Sequence, residues 1–417
     1  MTANPGQKKA LREAAVDVVR RLQEAGHAAY FAGGCVRDRL LGQEPEDYDI
    51  ATEAHPDVVA DMFRGTRRVG ESFGVMLVRS HGHVIQVATF RSEGAYSDHR
   101  HPDEVIFSDE HEDAARRDFT INGLFEDPLA NRIIDHVGGQ ADLEAGTIRA
   151  IGDADERFEE DHLRILRAVR FATRFDFDIE ARTAQAITSH AGNLKGVSAE
   201  RIGQEFRRMA AKGRWGPAMR LISSLGLEEA LLGHAGQEGD WLRCDHQDLC
   251  DPPPAAHRFE PAMAAWLLDR VEGDVDEACC ESVGDRLVFS NQERARLAAI
   301  ISVHQRVNVE WDAASVATCK RLASSEVFQS SIELIQAVDP ERAASIEARV
   351  EVLAETDLAP DPLVSGGDLL EAGLAAGQEM GEILDKIYDA QLEGGLPDRE
   401  SAIEMAKKLS SQDHEGR

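Results

Sequence analysis

The sequence is short of cysteine, of long apolar runs and of positive charge. Six cysteines in 417 residues are too few for a disulfide framework. No apolar run approaches the roughly 18 residues that a membrane helix needs, and the N-terminal segment MTANPGQKKALREAAVDVVRRL has no apolar signal core. We therefore expect a cytoplasmic protein with reduced thiols and no membrane contact.

The formal net charge of −30 argues against a uniformly basic nucleic-acid binder, because such proteins hold polyanions mainly by neutralising phosphates. The charge is uneven, however. Residues 157–214 contain 12 Lys and Arg against 8 Asp and Glu, which is a local charge of +4. A segment of this kind can bind RNA within an acidic protein, so the net charge alone excludes little.

Periodicity predicts an α+β head with a mixed sheet, followed by an all-helical extension. Apolar residues recur at helical spacing over residues 8–25, and short β-like runs then alternate with helical patches such as PDVVADMF up to residue 150. Beyond that point we expect helices only, with breaks at DPPPAAH, DLAPDPLVSGG and EGGLPD. The predicted segments are an N-terminal helix (1–27), a catalytic head (28–150), a neck (151–215), a body (216–358) and a tail (359–417).

The segment YFAGGCVRDRLLGQEPEDYDIAT carries the first candidate site. A short strand leads into Gly33 and Gly34, where the backbone can turn tightly and approach a ligand closely. A helix over residues 36–41 would favour an anion at its N-terminus, and Arg37 adds a permanent positive charge there. Two glycines before a helix are also typical of an ordinary turn.

The same segment places two carboxylates on one side of a predicted strand. Asp47 and Asp49 are two residues apart, so both side chains leave the same face. Paired carboxylates repel each other unless a cation lies between them, and hard oxygen ligands with open positions for phosphate and water suit Mg²⁺. A solvated acidic loop is the alternative interpretation of such a pair.

Five motifs in order make a family resemblance specific. GGCVRDRLLGQEPEDYDIAT (33–52) resembles the signature of the class II tRNA nucleotidyltransferase and bacterial poly(A) polymerase family, within the polymerase-beta-like nucleotidyltransferases. RRDFTINGL (116–124) is similar to its ribose and phosphate motif, and DHVGGQADL (135–143) to its flexible connector. EEDHLRILRAVRFATRF (159–175) resembles its base-selecting helix, and VSAERIGQEF (197–206) the next neck helix.

The resemblance implies addition of nucleotides to an RNA 3′ end. Asp47 and Asp49 would be the catalytic residues and the Mg²⁺ ligands, promoting attack of the 3′-hydroxyl on the α-phosphate as pyrophosphate leaves. Asp118 would accept from a ribose hydroxyl. The nucleotide-binding residues that it implies are Gly33, Gly34, Arg37, Arg116, Arg117, Asp118, Asp161, Arg164, Arg167 and Arg170.

Asp161 and Arg164 are the candidates for base selection. At i and i+3 of one predicted helix they would be neighbours, and Asp can only accept hydrogen bonds whereas Arg can only donate them. Together they complement an exocyclic amine beside a ring-nitrogen acceptor, which C and A share and which G and U lack. We therefore expect selection of CTP and ATP without a nucleic-acid template, the alternative being an ordinary surface ion pair.

The arginines that follow Arg164 need not share one role. Arg167 and Arg170 continue the i+3 series, and Arg170 would lie roughly opposite Asp161 on a continuous helix. We expect one of them to reach triphosphate or RNA and another to brace the neck. Phe171 and Phe175 are expected to pack in the neck core.

One position departs from the family pattern. The strand HVIQVATFR resembles the one that carries a third carboxylate in this superfamily, but it places Gln86 there. An amide brings no charge and recruits a metal less well. We hypothesise reduced but real activity.

Two other features carry weaker signals. Cys244 and Cys250 lack a second ligand pair at finger-like spacing, so loop or core cysteines are expected rather than zinc. Gly373, Gly377 and Gly381 recur every four residues, which favours close helix packing over backbone contact with RNA. The segment around them nevertheless resembles the tails of CCA-adding enzymes.

These observations predict Mg²⁺-dependent addition of C and A to the tRNA 3′ end from CTP and ATP. The alternatives with the same chemistry are a poly(A) polymerase and an enzyme restricted to CC or to A. A non-catalytic RNA-binding relative is the alternative that Gln86 and the acidic charge suggest. Nucleotidyl transfer to a small molecule is less favoured, because a long helical extension suits a large RNA substrate.

Overall fold

The computed structural model describes residues 5–69, 74–93, 105–211, 214–232, 258–270 and 275–415. The chain forms two compact units, Met1–Met209 with Pro217–Gly233, and Ala210–Gly216 with His234–Arg417. Within the described ranges no helix is both long enough and apolar enough to cross a membrane. The five-segment division made from the sequence stays a prediction.

The first unit contains every strand that the structure describes. They are β1 (Ala29–Ala32), β2 (Asp49–Thr52), β3 (Arg67–Val69), β4 (Val75–Ser80), β5 (His83–Thr89), β6 (Arg91–Glu93), β7 (Val105–Phe107), β8 (Leu124–Asp127), β9 (Arg132–Asp135), β10 (Thr147–Ile148) and β11 (Asp178–Ile179). Seven form one sheet in the order β3-β4-β5-β2-β1-β8-β9. β2 and β5 run parallel and the other neighbours antiparallel, so the predicted mixed sheet and the α+β class are confirmed.

Helices precede, interrupt and follow this sheet. They are α1 (Pro5–Glu24), α2 (Gly34–Leu40), α3 (Pro56–Met62), α4 (Glu110–Ala115), α5 (Gly139–Glu144), α6 (Ala154–Glu160), α7 (Arg164–Phe175), α8 (Ala181–His190), α9 (Ala199–Ala211), α10 (Trp215–Ser224) and α11 (Glu228–Leu232). The predicted N-terminal helix is confirmed, and its apolar face is fully buried at Ala15, Val18, Val19 and Leu22.

The prediction of one continuous helix over residues 159–175 is wrong. α6 ends at Glu160, Asp161 has an extended backbone at φ −151°, and α7 begins at Arg164. The Asp161 carboxylate accepts from the Leu163 amide at 3.0 Å, a local bond that competes with helix continuation. Because Asp161 lies outside α7, its expected angular relation to Arg170 no longer applies.

The expectation that strands end at residue 150 is also wrong by one short strand. β11 pairs in parallel with β10, and their register joins Thr147 to Asp178 and Ile148 to Ile179. β11 has only two residues, one exposed and one half-buried, so it gives no alternating pattern that the sequence could reveal.

The second unit is helical throughout its described residues. Its helices are α12 (Phe259–Arg270), α13 (Glu277–Arg286), α14 (Asn291–Glu310), α15 (Val316–Ala323), α16 (Phe328–Val338), α17 (Pro340–Ala354), α18 (Gly366–Glu371), α19 (Gln378–Leu392) and α20 (Arg399–Glu415). The breaks expected near residues 357–367 and 393–398 are present. The break expected at residues 251–257 and the pair Cys244 and Cys250 lie outside the described residues.

The close packing expected at the tail glycines is wrong. A Cβ added to Gly373, Gly377 or Gly381 would meet no described atom within 4 Å. Gly373 ends a helix at φ +92° and Gly377 caps α19, so both serve turns instead. Contact of this backbone with RNA stays a prediction.

Candidate active site

A polar cleft in the first unit brings together all twelve residues that the sequence singles out. Its volume is about 900 Å³. The predicted residues that line it are Gly33, Gly34, Arg37, Asp47, Asp49, Arg116, Arg117, Asp118, Asp161, Arg164, Arg167 and Arg170. Gln86 lines it as well. Residues more than 100 positions apart in the sequence therefore share one concave surface.

The turn between β1 and α2 requires glycine at its first position. Gly33 adopts φ +71° and ψ −121°, a conformation that L side chains rarely adopt. A Cβ there would lie 2.9 Å from Nη1 of Arg117, whereas a Cβ on Gly34 would approach nothing closer than 3.7 Å. The Gly33 amide also donates to the carbonyl of Leu124 at 2.9 Å, which ties the turn to β8.

The start of β2 presents the two aspartates to the cleft. Tyr48 between them is buried and packs on Phe31 at 5.0 Å between ring centroids, so alternation turns Asp47 and Asp49 the other way. The parallel register pairs Asp49 with Gln86 of β5, and the Gln86 side chain is exposed. The location predicted for Gln86, beside the acidic pair, is confirmed.

Electrostatics at this pair suit a bound cation. Burial and the nearby charge of Asp47 raise the pKa of Asp49 to about 6, against the opposing effect of Arg117. Among the described residues no group of three or more His, Cys, Asp or Glu side chains is arranged to hold a metal ion. Two repelling carboxylates are nevertheless hard oxygen donors of the type Mg²⁺ prefers, so the donor set fits.

Arg116 and Arg117 are held by one buried carboxylate. Asp113 accepts from Nη2 of Arg116 at 2.7 Å and from Nη2 of Arg117 at 2.8 Å. Burial alone would raise its pKa, but the two guanidinium groups hold the pKa of Asp113 below its usual range. Arg117 also donates to the carbonyl of Asn122 at 3.2 Å. Both arginines are thus oriented before any ligand arrives.

Asp118 is engaged on both oxygens. Oδ1 accepts from the Phe119 amide and from Nδ2 of Asn122 at 2.8 and 2.9 Å, and Oδ2 accepts from Nε and Nη2 of Arg167 at 2.8 and 2.6 Å. Burial opposes its ionisation, yet Arg167 and Asn122 hold the pKa of Asp118 far below its usual range. The ribose contact predicted for Asp118 would therefore require Arg167 to give way.

The base-selection candidates do not pair with each other. Oδ2 of Asp161 accepts from Nη2 of Arg201 on α9 at 2.6 Å. Arg164 donates to a carboxylate oxygen of Glu160 and to the carbonyl of Arg157 at 2.9 Å. The alternative of an ordinary Asp161–Arg164 ion pair is wrong, and each side chain is oriented by its own partner.

Two further arginines in the cleft, Arg170 and Arg37, also have internal partners. Arg170 donates from Nε to Glu205 of α9 at 2.6 Å, which agrees with a role in bracing the neck. Arg37 is only 3% exposed, and its guanidinium bonds to Asp38 and Asn122. Phe171 is buried and stacks on Phe175, as expected for core residues.

Sequence reasoning missed the partners that orient these groups. Asp113 lies three and four residues before the arginines that it binds, so its helical spacing was a usable signal. Arg201 and Glu205 lie 40 and 35 residues from their partners Asp161 and Arg170. Separation of that length gives no local sign of a contact.

Three family models match successive parts of the chain. The poly A polymerase head domain matches residues 29–149, the RNA and SrmB-binding site of polymerase A matches residues 176–235, and tRNA nucleotidyltransferase domain 2 matches residues 258–406. Together with the mixed sheet and the cleft, these matches define a nucleotidyltransferase with the head of the poly A polymerases.

Individual relatives narrow the class. The CCA-adding enzyme of Lactobacillus gasseri is 34% identical over 398 residues, which cover 94% of this chain and 95% of that protein. The CCA-adding enzyme of Bacillus pumilus is 34% identical over 405 residues, with the same coverage. The crystal structure of Bacillus stearothermophilus CCA-adding enzyme in complex with CTP has a TM-score of 0.78 at 26% identity, covering 99% of this chain and 100% of that one. The chain belongs to the family of CCA-adding enzymes.

Proposed function

We propose that this protein adds C and A to the 3′ end of tRNA in the cytoplasm, using CTP and ATP and releasing pyrophosphate. The observation that carries the proposal is that the acidic pair Asp47 and Asp49 lines the same cleft as the base-reading candidates Asp161 and Arg164. A nucleotide spanning that cleft would meet phosphate chemistry at one end and base selection at the other.

Asp47 and Asp49 are the proposed ligands of Mg²⁺. When bound, the ion would supply charge neutralisation on the triphosphate and would make the RNA 3′-hydroxyl a better nucleophile. The chain itself supplies orientation. Arg116 and Arg117, fixed by Asp113, present positive charge to the triphosphate without having to be ordered on binding.

Base selection is proposed for Asp161 and Arg164. A carboxylate accepts up to about four hydrogen bonds, so Asp161 keeps acceptor capacity for an exocyclic amine while it holds Arg201. The guanidinium of Arg164 has five N–H donors and is held by Glu160 and Arg157 at Nη1 and by the carbonyl of Arg116 at Nη2. The preoriented acceptor and donor favour C and A over U and G, which would each place two like groups together.

Gln86 motivates a second candidate from another class, a non-catalytic RNA-binding relative. The amide stands beside Asp49 on the neighbouring strand, where a third carboxylate would strengthen cation binding. Two carboxylates remain on β2 and its approach, and we propose that they suffice for catalysis at a reduced rate.

Nucleotide incorporation tests the proposal. Transfer RNAs that end before CC, after C and after CC are each offered labelled CTP, ATP, GTP or UTP with Mg²⁺. We expect incorporation from CTP on the first two substrates and from ATP on the third. We expect no incorporation by the Asp49→Ala variant. Parent and Asp49→Ala equally inactive on all three substrates would contradict catalysis and support the binding protein.

A further inference from the structure

Six side chains form a chain of hydrogen bonds and ion pairs whose two ends both lie on α7, so that the helix itself completes a ring. We name it the arginine–aspartate ring. Its members, in bonding order, are Arg174, Asp38, Arg37, Asn122, Asp118 and Arg167. Asp38 and Arg174 belong to none of the site roles assigned above.

One half of the ring joins α7 to α2. Nη2 of Arg174 donates to Oδ2 of Asp38 at 2.9 Å. Oδ1 of Asp38 accepts from Nε and Nη2 of Arg37 at 2.8 and 2.5 Å. The buried carboxylate of Asp38 therefore binds two guanidinium groups, that of Arg37 in α2 and that of Arg174 in the last turn of α7.

The other half joins α2 back to α7 through residues 118–122. Arg37 donates from Nη1 to Oδ1 of Asn122, and Nδ2 of Asn122 donates to Oδ1 of Asp118 at 2.9 Å. Oδ2 of Asp118 accepts both donors of Arg167, which closes the ring. Every member except the two α7 arginines is less than 9% exposed.

The ring grips α7 at two points on one face. Arg167 and Arg174 are seven residues apart, close to two helical turns, so they point to the same side. Phe171 lies between them, with its ring centroid 5.1 Å from the guanidinium carbon of Arg37 and 5.4 Å from that of Arg167. Together with the buried apolar face of α7 and the Arg170–Glu205 bond, the two attachments fix the rotation of the helix about its axis.

We propose that Asp38 and Arg174 are positioning residues for nucleotide selection, and this inference rests on the proposed function. Arg164 stands in the first turn of α7, and the ring fixes that helix against Arg37 of α2 and against Asp118 and Asn122, which line the nucleotide cleft. Loss of the Arg174–Asp38 bond removes the attachment of the last turn of α7 to α2, so the helix can shift slightly within its packing. A displacement of about 1 Å at Arg164 is enough to weaken discrimination that depends on hydrogen-bond geometry.

The ring also revises the role of Arg37. Its guanidinium is committed to Asp38 and Asn122, and it packs on the faces of Phe171 and Phe175 at 5.1 and 4.7 Å. Arg37 therefore acts as the central link between the two halves of the ring, and the triphosphate predicted to meet it would be bound by Arg116 and Arg117 instead.

The ratio of kcat/KM for CTP to that for UTP, on tRNA ending before CC, tests the proposal. We expect this ratio to fall about tenfold in Arg174→Met and in Arg174→Gln, and to be largely restored in Arg174→Lys, which can still pair with Asp38. Arg20→Met is the matched control, because it removes the ion pair of an exposed arginine with Asp17 on α1, outside the cleft. Its ratio should equal that of the parent.

A double-mutant cycle that combines Asp38→Asn with Arg174→Met provides a second test of the same ratio. Because Arg174 acts through its contact with Asp38, the double variant Asp38→Asn/Arg174→Met should lose no more discrimination than the worse single variant. A folded Arg174→Met or Arg174→Gln with the parental ratio would overturn the proposal, as would losses that add in the double variant. A parent that incorporates no nucleotide would instead overturn the proposed function.

Discussion

Asp113 is the buried carboxylate on which the orientation of two cleft arginines depends. It is 1% exposed and carries the ion pairs of both Arg116 and Arg117. In Asp113→Asn, two guanidinium groups lose their counter-charge in a partly buried place. We expect the free energy of unfolding at pH 7 to fall by about 2–4 kcal/mol, measured by urea titration.

The pH dependence of that loss has a defined sign. The pKa of Asp113 is lowered in the folded protein, so its stabilising contribution is present above its ordinary pKa and is lost as the pH falls towards the folded value. The gap between parent and Asp113→Asn should be constant down to about pH 5 and should narrow below about pH 4. A gap that widens on acidification would contradict this account, and Glu229→Gln, at an exposed pair, should show neither effect.

Gln86 is the residue where activity is expected to be limited. It stands opposite Asp49 in the β2–β5 register and is exposed to the cleft. In Gln86→Glu a third carboxylate joins the pair, so we expect half-maximal incorporation at a several-fold lower Mg²⁺ concentration and a higher rate at limiting Mg²⁺. No gain in either quantity would show that this position does not limit the enzyme.

At the scale of elements, the β1–α2 turn makes a matched pair of substitutions available. In Gly33→Ala the new Cβ stands on a backbone with positive φ and lies 2.9 Å from Arg117. In Gly34→Ala the new Cβ stands on the first residue of α2 and meets no atom closer than 3.7 Å. We expect Gly33→Ala to lower the free energy of unfolding by about 1–3 kcal/mol and Gly34→Ala to change it by less than about 0.5 kcal/mol. Equal effects in thermal unfolding would contradict the strained-turn explanation.

Elements with a clear alternating or helical pattern could be predicted from the sequence, and others could not. β5 alternates along most of its length, and the spacing of Asp47, Tyr48 and Asp49 marks the start of β2, so both were found. β8 was missed, because all four of its residues are buried and no alternation remains. The break between α6 and α7 was missed because a side-chain bond to the backbone, and not the apolar pattern, ends α6.

The sequence predicted which residues line the candidate site, but it did not predict the hydrogen bonds and ion pairs among them. Four of the five motifs contributed residues that line the cleft, whereas no residue of the motif at 135–143 lines it. The long-range pairs, such as Arg167 with Asp118 and Arg201 with Asp161, depend on how α7 and α9 pack. Packing of that kind leaves no trace in local periodicity, and it changed the expected roles of Asp118 and Arg37.

At the scale of the whole molecule, charge is divided between an acidic protein and an arginine-rich cleft. The formal net charge is −30, yet ten arginines and five carboxylates line the cleft. Raising KCl from about 50 to 200 mM should weaken tRNA binding at least tenfold, because phosphate contacts release counterions. The same change should raise the unfolding temperature of the free protein, because it screens the net negative charge.

We therefore expect added KCl to weaken tRNA binding and to stabilise the free protein, because the cleft is rich in arginine while the whole chain is acidic. Filter binding of tRNA and thermal unfolding, both at fixed Mg²⁺, provide the two measurements. Affinity that does not depend on KCl would contradict phosphate recognition by the cleft.

The measurement that tests the central claim most directly is the length and sequence of the product on a tRNA that lacks its 3′ CCA. The tRNA is incubated with the full-length protein, Mg²⁺, CTP and ATP together, and the 3′ ends are sequenced. We predict a product extended by C, C and A that grows no further with time. Long A tails, addition that stops after CC, or incorporation of U and G at rates similar to C and A would contradict the account.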